Sequence, residues 1–155
     1  MLIRDYKRSD AAAITRLFYE TVHSVNLQHY SEQQVRAWAP AVPDPEIWDA
    51  RMRQRYTLVA EENGQIIAFA ELERDGHLDM LFCRSDAIRR GVGRSLYEAV
   101  EQRAVGLGLK HIFADASITA VPFFEHCGFS SVQQQSVIRR GIELSNFRMG
   151  KRLSP

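Results

Sequence analysis

Two arginines run directly into a pair of glycines at Arg89-Arg90-Gly91-Val92-Gly93-Arg94-Ser95. The stretch follows an apolar run, Leu78-Asp79-Met80-Leu81-Phe82-Cys83. It precedes Val92, Leu96, Ala99, Val100 and Ala104, which recur at helical spacing. This pattern predicts a strand, a glycine-rich turn and a helix. A helix start presents N–H groups that lack intrahelical partners, together with a partial positive charge. Glycines admit a ligand close to the backbone, and guanidiniums add charge-assisted hydrogen bonds, so the combination suits a phosphate. The same residues also suit an ordinary helix start with a solvated basic turn, and the local sequence leaves both readings open. Two familiar phosphate motifs are excluded. No G-x-x-x-x-G-K-[ST] run exists, and Leu96 stands where G-x-G-x-x-G requires its third glycine.

The elements that must position this turn can be read along the chain. Leu2 to Tyr6 reads as a strand, and Asp10 is placed to cap a helix whose buried face is Ile14, Leu17, Phe18, Thr21, Val22 and Val25. A break follows at Asn26–Tyr30. Ser31-Glu32-Gln33-Gln34 then fits a capping box and opens a short helix ending near Pro40. Residues 41–45 are proline-rich loop, and Glu46–Arg53 suits another short helix. Strands are predicted over Tyr56–Glu61 and Gln65–Arg74, joined at Asn63-Gly64, with Asp75-Gly76 turning into Leu78–Cys83. Gly106 and Gly108 close the long helix. A strand over His111–Ala116, a helix over Thr119–Cys127 and strands over Phe129–Arg139 and Ile142–Arg152 complete the order. Such an order implies one α/β domain, a central mixed sheet flanked by helices on both faces.

Arg89-Arg90-Gly91-Val92-Gly93 resembles the acyl-CoA pyrophosphate loop of the GCN5-related N-acetyltransferases. A second block, Ala120-Val121-Pro122-Phe123-Phe124-Glu125-His126-Cys127-Gly128-Phe129, resembles that family's A-x-x-[LF]-Y-E-x-x-G-F helix-to-strand element. The blocks stand in the family's order and at about its spacing. The resemblance runs over nearly the whole chain, with a bacterial YafP-like subgroup as its nearest part. His29-Tyr30-Ser31, Asp79-Met80-Leu81-Phe82, Asp115-Ala116-Ser117-Ile118-Thr119-Ala120 and Arg140-Gly141 carry that likeness.

The resemblance implies an acetyl-CoA-dependent N-acetyltransferase that uses no metal and acts by direct attack of an amine. The main chain of Leu81, Phe82 and Cys83 would hold the pantetheine arm, and the N–H groups from Arg90 to Ser95 the diphosphate. Arg89 would stand in for the side chain that the family places where this chain has Ile88. Ser117, Phe123 and Phe124 fall on the cofactor side as well. A base must deprotonate the amine, and His77 occupies the comparable strand position, with Asp79 two residues on; Glu71 and Glu73 are weaker candidates. Phe124 replaces the tyrosine that protonates the thiolate in many relatives, which leaves Cys127, His126 and Tyr30 as other donors. His23, His29, Tyr30, Trp38 and Trp48 would shape the acceptor pocket. Each of these residues also has a plain structural reading: a solvated His77, a structurally bonded Asp79, a buried Cys127, and tryptophans in the core.

Bulk properties bound the alternatives. The chain has 155 residues, a net charge of +1 and interspersed charge, which suits one domain and opposes non-specific nucleic-acid binding. A nucleic-acid reading would rest only on Arg89, Arg90, Arg94 and Arg139-Arg140. No apolar run approaches the ~20 residues of a membrane span. Two cysteines, Cys83 and Cys127, form neither C-x-x-C nor a metal array, so the expectation is a cytoplasmic protein without metal. Expected partners are a small-molecule or peptide amine, no nucleic acid and no membrane, with a homodimer allowed. A non-catalytic acyl-CoA-binding module of the same fold is the alternative that Phe124 and Ile88 favour.

Overall fold

The computed structural model describes residues 1–154. Its order is β1 (Leu2–Asp5), α1 (Ala11–Val22), α2 (Glu32–Trp38), α3 (Pro45–Met52), β2 (Tyr56–Glu62), β3 (Gln65–Leu72), β4 (Leu78–Cys83), α4 (Val92–Gly106), β5 (His111–Ser117), α5 (Val121–His126), β6 (Ser130–Arg139) and β7 (Ile142–Arg152). All the expected elements form. The capping box at α2 carries both of its bonds, with Gln34 N–H donating to Ser31 Oγ and Ser31 N–H to Gln34 Oε1.

The mixed sheet is built as two antiparallel sheets, β1-β2-β3-β4 and β5-β7-β6, that meet at one parallel bridge between His77 and Phe113. Gly76 makes this junction. It has φ +100, and a Cβ there would lie 2.5 Å from the His111 carbonyl oxygen. Only glycine lets the β3–β4 turn come this close to β5. Phe113 N–H then donates to Gly76 O at 3.1 Å.

Alternation along the strands gives the sheet two apolar faces. Leu58, Ala60, Ala68 and Ala70 face a core shared with Leu96, Val100 and Ala104 of α4. Val59 and Phe69 face the other way, onto Ile14 and Phe18 of α1 and Trp48 of α3. Helices therefore cover both faces, and the N-terminal turn of α4 is carried on a fully packed frame. No helix among the described residues is long and apolar enough to cross a membrane.

One capping expectation is corrected. Asp10 sits before α1 but makes no side-chain bond to it. Its carboxylate turns back to accept from Arg4 Nη1 and Nη2, at 2.8 and 3.0 Å, and from Lys7 N–H at 2.9 Å. Burial pushes this carboxyl up, but the Arg4 and Lys7 hydrogen bonds outweigh burial and hold it below its ordinary value. A carboxyl depressed on folding stabilises above its unfolded pKa of ~3.9 and loses that contribution as the pH falls through the lower folded value. Asp10→Asn is therefore expected to cost about 1–2 kcal/mol near pH 7 and progressively less below about pH 3. Thermal melts of parent and variant across that range check it; an equal difference at both ends contradicts it.

Candidate functional site

β4 has β3 on one side only. Arg84 N–H donates to Ile67 O at 2.8 Å, and Ala68 pairs with Cys83, Phe69 with Phe82 and Ala70 with Leu81. Hydrogen-bonded and non-bonded pairs alternate in antiparallel strands. Phe82 thus spends its main-chain groups on β3, while the N–H and C=O of Leu81 and Cys83 point away from it. Thr21 Oγ1 reaches Cys83 O only at 3.5 Å. Beyond the His77–Phe113 bridge β4 and β5 part, and the gap is edged by backbone donors and acceptors in need of partners.

The glycine-rich turn lies at the end of the same strand. Arg89 and Gly91 both take left-handed conformations, φ 67 and 79, and α4 begins at Val92. The first intrahelical bond runs from Ser95 N–H to Gly91 O at 3.0 Å. The amides of Val92, Gly93 and Arg94 precede it and are open at the positive end of a 15-residue helix. Gly93 backs onto Phe123 of α5; a Cβ there would meet the ring at 3.2 Å. The arginines divide. Arg90 is held by both oxygens of Glu62, at 2.8 and 2.9 Å. Arg94 spans to Glu98 and the His126 carbonyl. Arg89 has no ion-pair partner among the described residues.

A cavity of about 470 Å³ opens between β4 and β5. Phe18, Trp38 and Phe82 give it an aromatic wall, with ring centroids 5.2 Å apart for Phe18–Phe82 and 6.4 Å for Trp38–Phe82. Tyr30 also lines it, and its hydroxyl is used twice, donating to Ser145 O at 2.7 Å and accepting from Ile118 N–H at 2.9 Å. Burial raises this phenol above its ordinary range, against the Ile118 bond. Tyr30 thereby ties β7 to the segment that follows β5. Phe124 also lines the cavity and is 6% exposed.

The base candidates separate in space. Asp79 lines the cavity and receives Arg55 Nη1 at 2.7 Å. Glu71 is fully buried, and Arg51 and Arg55 both bind it, so it anchors the guanidinium that holds Asp79. Glu73 pairs with Arg55 Nη2 at 2.8 Å. His77 sits at the junction of the sheets rather than in the cavity lining. Its ring stacks on Phe113 at 5.0 Å, between Glu73 at 3.5 Å and Asp115 at 3.3 Å. Cys127 is in the core beside α4, and burial pushes its thiol up. Burial also pushes the Cys83 thiol up to about 11, so it stays protonated at neutral pH. Glu73, His77 and Asp79 lie close enough together to hold an ion, but the salt bridges above already satisfy them.

Of the five residues expected around the acceptor, Tyr30 and Trp38 reach the cavity. His23 bonds to Ala39 O at 2.6 Å, His29 to Thr119 Oγ1 at 2.9 Å, and Trp48 packs on Phe18 at 4.9 Å. Ser117 lines the cavity and caps the turn after β5 by accepting from Ala120 N–H. Phe18, Asp115 and Asn146, for which the sequence carries no signal as lining residues, line the cavity too, as do Arg139 and Arg140, which read in sequence as a basic pair. The Arg140-Gly141 turn was the one local signal for that end.

Comparison with known proteins bears on the family and the fold. The family model described as an acetyltransferase (GNAT) domain matches residues 26–151. The chain is 35% identical over 147 residues to the uncharacterised N-acetyltransferase YafP of Escherichia coli K12, covering 95% of this chain and 93% of that protein. Its fold superimposes with a TM-score of 0.93 on a GCN5-related N-acetyltransferase from Rhodopseudomonas palustris, at 34% identity over 98% of this chain and 95% of that one. It also matches yncA of Salmonella typhimurium, solved with its cofactor acetyl-CoA, with a TM-score of 0.77 at 20% identity, covering 100% and 95% of the two chains.

Proposed function

The chain belongs to the GCN5-related N-acetyltransferases, and from that membership we propose that it transfers the acetyl group of acetyl-CoA to the amine of a small molecule or peptide bound in the aromatic cavity. The observation that carries this reading is the parting of β4 from β5 directly before the open first turn of α4. The Leu81 and Cys83 main chains offer donors and acceptors matched to the amides of a pantetheine arm. The amides of Val92, Gly93 and Arg94, with Arg89, offer an anion site for the diphosphate. Phe82 contributes its ring, while Phe123 backs the glycine turn.

Direct attack follows from the side chains present. The amine nitrogen adds to the thioester carbonyl, a C–N bond forms, the C–S bond breaks, and the amine gives up a proton. A protonated amine of ordinary pKa ~10 is no nucleophile, so proton removal is the harder demand. Of the two carboxylates that line the cavity, Asp79 is the one on β4, the strand whose main chain would hold the acyl donor, and it serves as base or orients a water. The departing thiolate needs little help, since a thiol has a pKa of ~8.5 and water can protonate it. Neither Phe124, which has no proton, nor Cys127, which stays in the core, is required for it. Tyr30 keeps its proton on Ser145 O and acts by holding the cavity wall.

The test is release of free CoA thiol from acetyl-CoA by the purified protein with and without a mixture of primary amines. Release that requires both protein and amine is expected. A protein that binds acetyl-CoA but releases no thiol with any amine contradicts transfer and favours an acyl-CoA-binding module.

A further inference from the structure

The charges around the cavity do not balance locally. Its two carboxylates are already neutralised from outside: Asp79 by Arg55, and Asp115 by Arg148 Nε at 2.6 Å with Gln135 Nε2 at 2.7 Å. Its two guanidiniums, Arg139 and Arg140, stand at the β6–β7 turn and have no acidic partner among the described residues. Arg139 reaches only the Ile138 carbonyl, at 3.4 Å, and Arg140 only the Ala37 carbonyl, at 2.6 Å. Glu143, the acid nearest in the hairpin, is turned to Ser136 Oγ. Further along β7 from the turn, Asn146 lines the same cavity, and its Oδ1 is buried with no hydrogen-bond partner. An orphaned buried acceptor is costly, and a ligand N–H would satisfy it.

These features have a polarity. Along the β6–β7 hairpin Asn146 pairs with Gln135, which bonds Asp115, whereas Arg139 pairs with Ile142 next to the turn, so the acceptors and the two unpaired cations lie at different ends of the lining, with the aromatic wall beside them. A plain ammonium compound would meet like charge at the turn. We infer that the acceptor carries an oxyanion, a carboxylate or a phosphate, at the end of the molecule away from its amine, and that Arg139 and Arg140 bind this group at the turn end of the cavity. Guanidiniums match planar oxyanions, and most of the donors on each are free. The oxyanion is not a phosphate of the acyl donor, because Arg89 to Ser95 lie outside the cavity lining. The assignment names the acceptor class for the transfer reaction proposed above and rests on that reading.

Three probes share one amine and one aromatic body: 4-(2-aminoethyl)benzoate, tyramine O-phosphate and the neutral 4-(2-aminoethyl)benzamide. Acetyl-CoA binding is first measured by calorimetry, then kcat/KM is measured for each probe. At low salt the better oxyanion probe is expected to exceed the benzamide by about tenfold or more, with the ratio shrinking as salt rises. The carboxylate and phosphate arms decide which oxyanion is preferred. Arg139→Gln and Arg140→Gln should bring the ratio toward one. Arg140→Lys, which keeps the charge, should retain part of it, and thermal melts confirm that each variant folds. A benzamide acetylated as well as the oxyanion probes, or a preference unchanged in both Gln variants, overturns the inference. So does an enzyme that binds acetyl-CoA but acetylates none of the three. A parent that neither binds acetyl-CoA nor releases thiol with any amine overturns instead the transfer reading beneath it.

Discussion

Gly93→Asp is expected to weaken acetyl-CoA binding by about 100-fold or more while the protein still folds. The first turn of α4 offers the Val92, Gly93 and Arg94 amides to the diphosphate, and few of its neighbours can compensate, since Arg90 and Arg94 are occupied by Glu62, Glu98 and the His126 carbonyl. Hydrogen bonds to a charged group are worth ~1.5–3 kcal/mol each, so losing two of them already reaches a factor of ~100. A carboxylate in their place adds repulsion. The new Cβ meets Phe123 Cε1 at 3.2 Å and Cζ at 3.6 Å, so the ring edge must yield by a few tenths of an ångström. Gly93→Ala makes the same contact without the charge and should lose far less. Calorimetric titration of parent and both variants, with melts to confirm folding, reads the difference. An unchanged affinity in Gly93→Asp would move the diphosphate away from this helix.

Asp79→Asn should lower kcat/KM by ~10²–10⁴-fold with acetyl-CoA affinity intact, the usual range for a lost general acid or base. Arg55 can still donate to the amide oxygen, so the cavity wall keeps its shape. Two comparisons sharpen the result. Cys127→Ala should stay within a few-fold of the parent, because the thiol is buried among core residues rather than in the cavity. His77→Ala removes the ring that stacks on Phe113 at the only bridge between the sheets found among the described residues, and should cost stability more than rate. Rates across pH separate the roles. If His77→Ala abolishes the rise near neutrality while Asp79→Asn leaves it, the base is His77. A Cys127→Ala enzyme with intact fold and affinity but a rate down 10²-fold or more would make the thiol the acid that replaces the family tyrosine.

What could be read in the sequence was local. Asn63-Gly64 marks its hairpin because both residues take positive φ, 53 and 76, and Ser31 and Gln34 find each other within one turn. The phosphate turn was legible for the same reason: strand, glycines and helix start are contiguous. The acceptor side is assembled from distant pieces. Tyr30 clamps residues 88 and 115 positions away, and Asp115 meets His77 only because two sheets join there. No local period says which strands part to leave a gap. Gly76 reads as a turn residue, and its second use, letting the carbonyl of His111 approach, requires knowing what lies against it. Arg139 ends β6, a strand with the pattern of an exposed sheet edge, Arg140 follows in the turn and Asn146 lies on β7, so nothing in their spacing directs them at a cavity shared with α1 and β4.

Amide hydrogen exchange with and without acetyl-CoA tests most directly whether the parted strands and the α4 turn form the donor site. Slowed exchange is predicted in peptides covering Leu81–Cys83 and Val92–Arg94, in which the fold leaves the N–H groups of Leu81, Cys83, Val92, Gly93 and Arg94 open, with the Arg139–Arg140 turn unaffected by the acyl donor alone. Binding of acetyl-CoA that protects neither segment, or protects only the β6–β7 turn, would contradict it.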